Sequence, residues 1–305
     1  MPLDVIVDTD IGSDIDDAYA VLLAISSPEL NIKGITLVHA DIDMRVKITR
    51  KLLKLAGRED MPVIGGEKYP IRRERPIIWG GHEGRGIDFS DVGSDLPNTY
   101  APEFIAQTAA EKPGELLLIT IGPLTNIGIA IRDYPQETAR LKGIVCMGST
   151  FNGFGREHAG EEHNIAVDPE AAEIVLSSGI PVLLVGLNVT TKVALTRDQL
   201  DEIAAFRTPL AKFMAHMTED FFTLGNRSST VMHDPLAVAA SFEPGILTTV
   251  PVTAEVNIKP PGSITYFEAG PDSPIRICTS VNAERFDELF QARIFNAVGG
   301  GCGCR

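Results

Sequence analysis

Residues 6–18 read IVDTDIGSDIDDA. Five aspartates, Asp8, Asp10, Asp14, Asp16 and Asp17, fall within ten positions directly after an apolar run. That run, LDVIVD, has the composition of a buried strand. DDAYAVLLAISSP has the spacing of a helix with acidic residues in its first turn, where the helix dipole favours them. The aspartates therefore fall on a strand-to-helix turn. In a parallel α/β sheet such turns lie at the carboxyl edge, where ligands bind. Like charges crowded there repel one another unless something neutralises them, and a hard divalent cation with oxygen ligands can do so.

The same alternation continues along the chain. IKGITLVHA predicts a second strand, RVKITRKLLKLAG a basic-faced helix ending at Gly57, and MPVIGG a short third strand. GELLLITIG, PLTNIGIAIRDYP, LKGIVCMGST, DPEAAEIVLSSG and IPVLLVGLN repeat the pattern. The expected fold class is α/β, with a mostly parallel central sheet flanked by helices. The C-terminal third is less regular: TVPVTAEVNI and SITYFEAG predict added strands, and NAERFDELFQARIFNAV a closing helix. Long loops are expected at about 66–100, 150–166 and 224–234, and long loops in compact domains are more often functional than idle. With no repeat or linker in view, residues 1–298 are expected to form one domain and residues 299–305 a flexible tail.

The chain has 305 residues, 44% of them hydrophobic, enough to bury a sizeable core. Its formal net charge of −14 argues against nucleic acid or an anionic membrane as partner. It leaves room for a small anionic substrate held by local cations. The start has no basic leader region, and the most apolar stretch, ELLLITIGPLTNIGIAI, is broken by Gly, Pro and Asn, so neither a secretory signal nor a membrane span is expected. Cys146 and Cys278 sit in strand-like runs and are expected in the core. Cys302 and Cys304 end the tail GGGCGCR, which reads as a disordered end or as a metal or redox hook. This cysteine usage fits a reducing cytoplasm.

Several readings of the aspartate cluster compete. An EF-hand-like calcium loop shares D-x-D-x-G-x-D, but Tyr19 stands near its terminal glutamate and the segment follows a strand. Haloacid-dehalogenase-type phosphatases also open with Asp-x-Asp, but want Thr or Val where Gly12 stands. A helix-capping cluster without metal needs fewer carboxylates than five. DTDIGSDIDDA resembles, more specifically, the N-terminal signature of the inosine-uridine-preferring nucleoside hydrolase family. The commoner form is D-x-D-x-G-x-D-D-x-x-A, and the two extra residues here leave the alignment of Asp14 and Asp16 open. ITIGPLTNIGIA resembles the family's G-P-L-T-N segment, and MGSTFNGFGREHAGEEHNIAVDPEAAEIV its M-G-G…E-F-N…D-P-E-A-A segment. VMHDPLAVAA resembles its H-D-P segment, and WGGHEGRG is near its H-G-x-x-G loop. The matches run in order along most of the chain.

The resemblance implies a Rossmann-like nucleoside hydrolase fold and hydrolysis of the N-glycosidic bond of nucleosides by water, with one Ca2+ as cofactor. It implies that Asp10, Asp17, Asp234 and the main-chain carbonyl of Ile121, five residues before Asn126, hold the metal. Asp10 would also take the proton of the attacking water. Asp16 would bind the ribose 2′-hydroxyl, and Asp8 would support Asp10 from behind. Asp234 also reads as an N-cap, with Pro235 at the first helical position. Glu162 and Asn164 match the ribose-binding pair, with Glu162 on the 5′ side and Met147 as the pocket floor. His233 is the candidate acid for the departing base, a role that suits a histidine near neutral pH. His82 and His39 are candidates to line the cleft. His163 stands where the family often has Phe; His158 and His216 read as surface or structural. Family members are usually dimers or tetramers, so a homodimer or homotetramer acting on a small nucleoside or related ribosyl substrate is expected.

Two departures stand out. The family's second strand ends in G-N-V, and here HADID puts Asp41 at the ribose-contacting position. Gly155-Arg156 replaces a Gly-Asn, so that Arg156 either meets a 5′-phosphate on the substrate or pairs with Glu162 or Glu157. Base specificity is expected from the loops near Trp79–Arg85 and Phe221–Arg227, although Phe221 and Phe222 also read as core packing. The rival readings are a metal-dependent phosphohydrolase, for which no clear phosphate-binding lysine is found, and a ribose-binding homologue without turnover.

Overall fold

The opening apolar run forms strand β1, Leu3–Thr9, and the sheet grows from it in both directions. On one side β2 (Leu30–Leu37) and then β3 (Val63–Gly65) lie parallel to it. The chain then returns to the other side of β1. There β4 (Leu117–Thr120), β5 (Gly143–Met147) and β6 (Val182–Val185) follow in parallel. Strands β7 (Ala194–Thr196) and β8 (Ser229–Val231) form a separate antiparallel pair. Of β9 (Leu247–Asn257), β10 (Ser263–Glu268) and β11 (Ile275–Val281), β11 joins β6 in parallel. β9 and then β10 add antiparallel, completing a nine-stranded sheet. The computed structural model describes residues 1–77, 80–93, 95–156, 162–259 and 262–301.

Side chains alternate across a strand, so β1 feeds both faces of the sheet. Val5 and Val7 enter one apolar cluster, with the helices Asp16–Ile25, Ile42–Leu55, Pro209–Gly225, His233–Phe242 and Ala283–Asn296. Ile6 enters the other, with Ala101–Glu111, Thr125–Asp133 and Pro169–Ser177. The expected mostly parallel sheet with helices on both faces is found, and the irregular C-terminal third is the antiparallel extension and its closing helix. Among the described helices none is long and apolar enough to cross a membrane. Cys146 and Cys278 are buried and free, as expected.

The long loops differ in detail. The 66–100 stretch holds no helix or strand among its described residues. The 150–166 stretch ends early, in the short helix His163–Val167, and the 224–234 stretch contains β8. Elements of three to five residues carry too few repeats for a pattern to show. Ala297–Gly301 forms a wide turn, with Gly300 at φ +85°. Cys302, Cys304, Trp79 and His158 lie outside the described residues.

One topological feature positions everything that follows. β1 has β2 on one side and β4 on the other, so the chain's direction of winding reverses at β1. The segments leaving β1 and β4 therefore diverge to opposite faces, and a crevice opens between them at their carboxyl ends.

Candidate active site

At this crevice Asp8, near the end of β1, is fully buried and turned sideways. Its Oδ2 accepts from Thr36 Oγ1 on β2 at 2.6 Å and from Asn126 Nδ2 at 2.7 Å. Asn126 also donates to the Leu37 carbonyl and accepts from Glu67 N at 2.8 Å, tying β1, β2 and the segment after β3 together. Burial pushes the Asp8 carboxyl up to about 7. Asp10 follows one residue beyond β1, also buried, with Arg45 Nη2 3.8 Å from its Oδ2. Gly122, just past β4, lies so close that a Cβ there would sit 2.9 Å from both Asp10 N and Asp10 Oδ1. Glycine is what lets the two segments approach.

Helix Asp16–Ile25 opens with Asp16 and Asp17, both buried. Thr9 Oγ1 donates to Asp17 Oδ1 at 2.5 Å. Asp234 comes from the start of helix His233–Phe242, and its N–H lies 3.4 Å from Asp16 Oδ2. The helix begins two residues earlier than the H-D-P reading expects. Asp234 is therefore its second residue rather than its cap, and its carboxylate joins the cluster. Oxygens of Asp16, Asp17 and Asp234 lie within 4.8 Å of one another. Burial, then the neighbouring Asp14, pushes Asp16 up to about 8, and burial with the surrounding aspartates raises Asp17 and Asp234 well above the usual carboxylate range. Three buried hard-oxygen donors this close must hold protons or share a cation, and they fit a divalent ion.

The carboxylates floor a cavity of about 530 Å³. Ile121 and Met147 reach it from the ends of β4 and β5, and Glu162, Asn164, His82 and His233 from the loops and helices around it. Asn164 Nδ2 donates to the carbonyls of Ile121 at 3.0 Å and Met147 at 3.2 Å. Glu162 caps helix His163–Val167 and accepts three backbone N–H groups, from Ser149, Asn164 and Ile165. Burial still holds its carboxyl above the ordinary value. His233 Nδ1 is 2.7 Å from Thr190 Oγ1, and burial lowers its imidazole to about 4. His82 Nε2 meets the Ser13 carbonyl at 2.8 Å, which fastens the aspartate loop. Asp14 lies at the cavity's open side, where lost hydration and the nearby Asp10 raise its carboxyl. His163 also lines the cavity, its ring 5.7 Å from that of His39.

Two expected substrate contacts are elsewhere. Asp41 follows His39 and Ala40, both in the left-handed region at φ 70° and 58°, and the turn they make brings Asp41 to the start of helix Ile42–Leu55. Its carboxylate accepts from Met44 N at 3.1 Å, an N-cap rather than a wall of the cavity. Arg156 is exposed, its Nη1 3.5 Å from the Asn152 carbonyl. It has no ion pair with Glu162, whose carboxylate accepts from three backbone N–H groups. Glu157, the other partner considered, lies outside the described residues. Among the described residues lining the cavity there is no lysine or arginine. Phe222 is buried in the core as packing; Phe221 packs beside it, its ring under Arg227 at 4.2 Å.

Arg45 is the residue that sequence reasoning missed. Its side chain is fully buried, donating to the carbonyls of His39 at 2.7 Å and Ile11 at 2.9 Å and to Ser13 Oγ at 3.3 Å. Ser13 Oγ in turn donates to Glu83 at 2.8 Å. A basic face describes the helix only in part, since Arg45 stands at helical spacing from Ile48, Thr49 and Leu52 on its buried stripe. An arginine on an apolar stripe was the available signal.

The family model described as "Inosine-uridine preferring nucleoside hydrolase" matches residues 5–288. The chain is 34% identical to the pyrimidine-specific ribonucleoside hydrolase RihA of Salmonella arizonae over 317 aligned residues, covering 96% of this chain and 99% of the relative. It is 32% identical to RihA of Escherichia coli O157:H7, with 96% and 99% covered. Among solved structures, the plant nucleoside hydrolase PpNRh1 superposes with a TM-score of 0.84 at 26% identity, over 96% of this chain and 99% of that one. An inosine-guanosine nucleoside hydrolase superposes at 0.80 and 26%, over 96% and 98%.

Proposed function

The chain belongs to the inosine-uridine preferring nucleoside hydrolase family, whose chemistry is hydrolysis of the ribonucleoside N-glycosidic bond, and we propose that it performs this reaction with Ca2+ and the residues gathered at the switch point of its sheet. The observation that carries the reading is the trio of buried carboxylates, Asp16, Asp17 and Asp234, with oxygens within 4.8 Å of one another. Asp17 and Asp234 hold the ion, with Asp10 and the Ile121 carbonyl completing the set. Asp16, deep in the cavity, takes the ribose hydroxyl; Asp14, at the open side, does not. When bound, Ca2+ offsets the carboxylates' repulsion and makes water more acidic.

Asp10 accepts the proton of the attacking water. As the C–N bond breaks, positive charge develops on the ribose. A cavity lined by Asp10, Asp14, Asp16, Asp17, Glu162 and Asp234 stabilises that charge more than the neutral ground state. Asn164, whose amide nitrogen is held by two carbonyls, keeps its oxygen for a ribose hydroxyl. His233 is neutral at pH 7 because burial depresses its pKa; with Thr190 on Nδ1, its Nε2 serves as an N–H donor to the departing base.

The test is release of free base from a panel of nucleosides and their 5′-monophosphates, with Ca2+ and after chelation. Pyrimidine nucleosides come first, because the two RihA relatives are pyrimidine-specific. The expected result is calcium-dependent release from nucleosides and little from monophosphates, since no described lysine or arginine faces the cavity. Release that survives chelation would overturn the metal's role. Better turnover of a monophosphate would restore Arg156 as a phosphate contact.

A further inference from the structure

Ser149 lies two residues beyond β5, where the M-G-G pattern that this segment resembles has glycine. Its backbone is in the left-handed region at φ 68°, a conformation strained for a side-chain-bearing residue. Three contacts hold it there. Its N–H donates to Glu162 Oε2 at 2.9 Å, its carbonyl accepts from Leu187 N at 2.9 Å, and its Oγ accepts from the Tyr266 hydroxyl at 2.6 Å. Glu162 and Leu187 line the cavity. Tyr266 does not; it is buried in edge strand β10, with Phe151 packed edge-on at 6.0 Å.

Glu162 depends on this arrangement. Its Oε2 accepts from both Ser149 N and Ile165 N, whereas Oε1 accepts only from Asn164 N at 2.7 Å. Oε1 therefore keeps acceptor capacity for a substrate hydroxyl. If Ser149 relaxed to an ordinary conformation, its N–H would turn away and the carboxylate would lose a fixed partner.

We propose that Tyr266 is a positioning residue for substrate binding: through its hydrogen bond to Ser149 it holds that residue in the left-handed conformation, and so aims Glu162 at the 5′ side of the ribose. The proposal rests on the nucleoside-hydrolase reading of the cavity. It also gives the antiparallel extension a task, since this hydroxyl joins β10 to Ser149.

The experiment compares uridine with 5′-deoxyuridine, which lacks the hydroxyl that Glu162 would hold. Tyr266→Phe should raise KM for uridine about 10-fold with kcat within about 2-fold, the pattern of lost ground-state binding, and leave 5′-deoxyuridine within about 2-fold. Adding Ser149→Gly should restore the uridine KM to within about 2-fold of wild type, because glycine adopts a positive φ without support. Ser149→Ala deletes the acceptor of the same bond and gives a second reading if Tyr266→Phe does not fold. A penalty equal on both substrates, no penalty, or a double variant no better than Tyr266→Phe alone overturns the proposal. A wild-type enzyme that releases base from no nucleoside of the panel would instead overturn the hydrolase reading, and the proposal with it.

Discussion

Asp10 and Arg45 mark the two ends of what single residues disclose. Asp10 is conspicuous because four more aspartates crowd round it in the chain, and crowded like charge needs a reason. Asp10→Asn keeps the shape and removes the proposed proton acceptor. It should lower kcat by about 10²–10⁴, with the melting temperature within about 3 °C of wild type by differential scanning fluorimetry. Wild-type turnover in that variant would refute the assigned role. Arg45, by contrast, gives no charge cluster to notice. Its partners appear only once helix Ile42–Leu55 is packed against the loop after β1. Asp234 was legible through its H-D-P setting, although its place as second residue of a helix rather than cap was not.

Caps and strands behave differently as signals. The parallel strands were legible as short apolar runs between helical patterns. Their order was not, because neighbours such as β1 and β4 are distant in sequence and nothing local states the pairing. Asp41 shows what a local reading leaves out. The turn that brings it to the start of helix Ile42–Leu55 depends on left-handed backbone at His39 and Ala40, neither of them glycine, so composition gives no warning. As the cap of helix Ile42–Leu55, Asp41 has a stability role. Asp41→Ala should cost about 1 kcal/mol in urea denaturation. Its calcium affinity, by titration calorimetry, should stay within about 2-fold of wild type. A large loss of affinity with unchanged stability would return Asp41 to the substrate site.

Charge decides the behaviour of the whole molecule. Asp8 rises to about 7 and Asp16 to about 8, with Asp17 and Asp234 also raised. An acid whose pKa is higher folded than unfolded binds more protons in the native state, so its contribution is present at low pH and is lost as pH rises through the folded value. In chelator, the melting temperature should therefore fall between about pH 5 and pH 8. The overall −14 charge adds self-repulsion in the same direction. Calcium should raise the curve most at its alkaline end, because ligands that bind only the native state stabilise it by mass action. A chelator curve that is flat or rises across that window would contradict the buried-carboxylate arrangement.

The reversal of winding at β1 also sets the timing of maturation. Asp10 and Asp17 leave the ribosome early, but their partners arrive with Ile121 after β4 and finally with Asp234. At translation rates of roughly 5–20 residues per second, the first and last carboxylates are separated by about 10–45 s of synthesis. During that interval the nascent N-terminal half displays an acidic turn with no closing wall. A cation shared by these carboxylates would therefore not nucleate folding at this centre; its capture would report that the segment carrying Asp234 has docked.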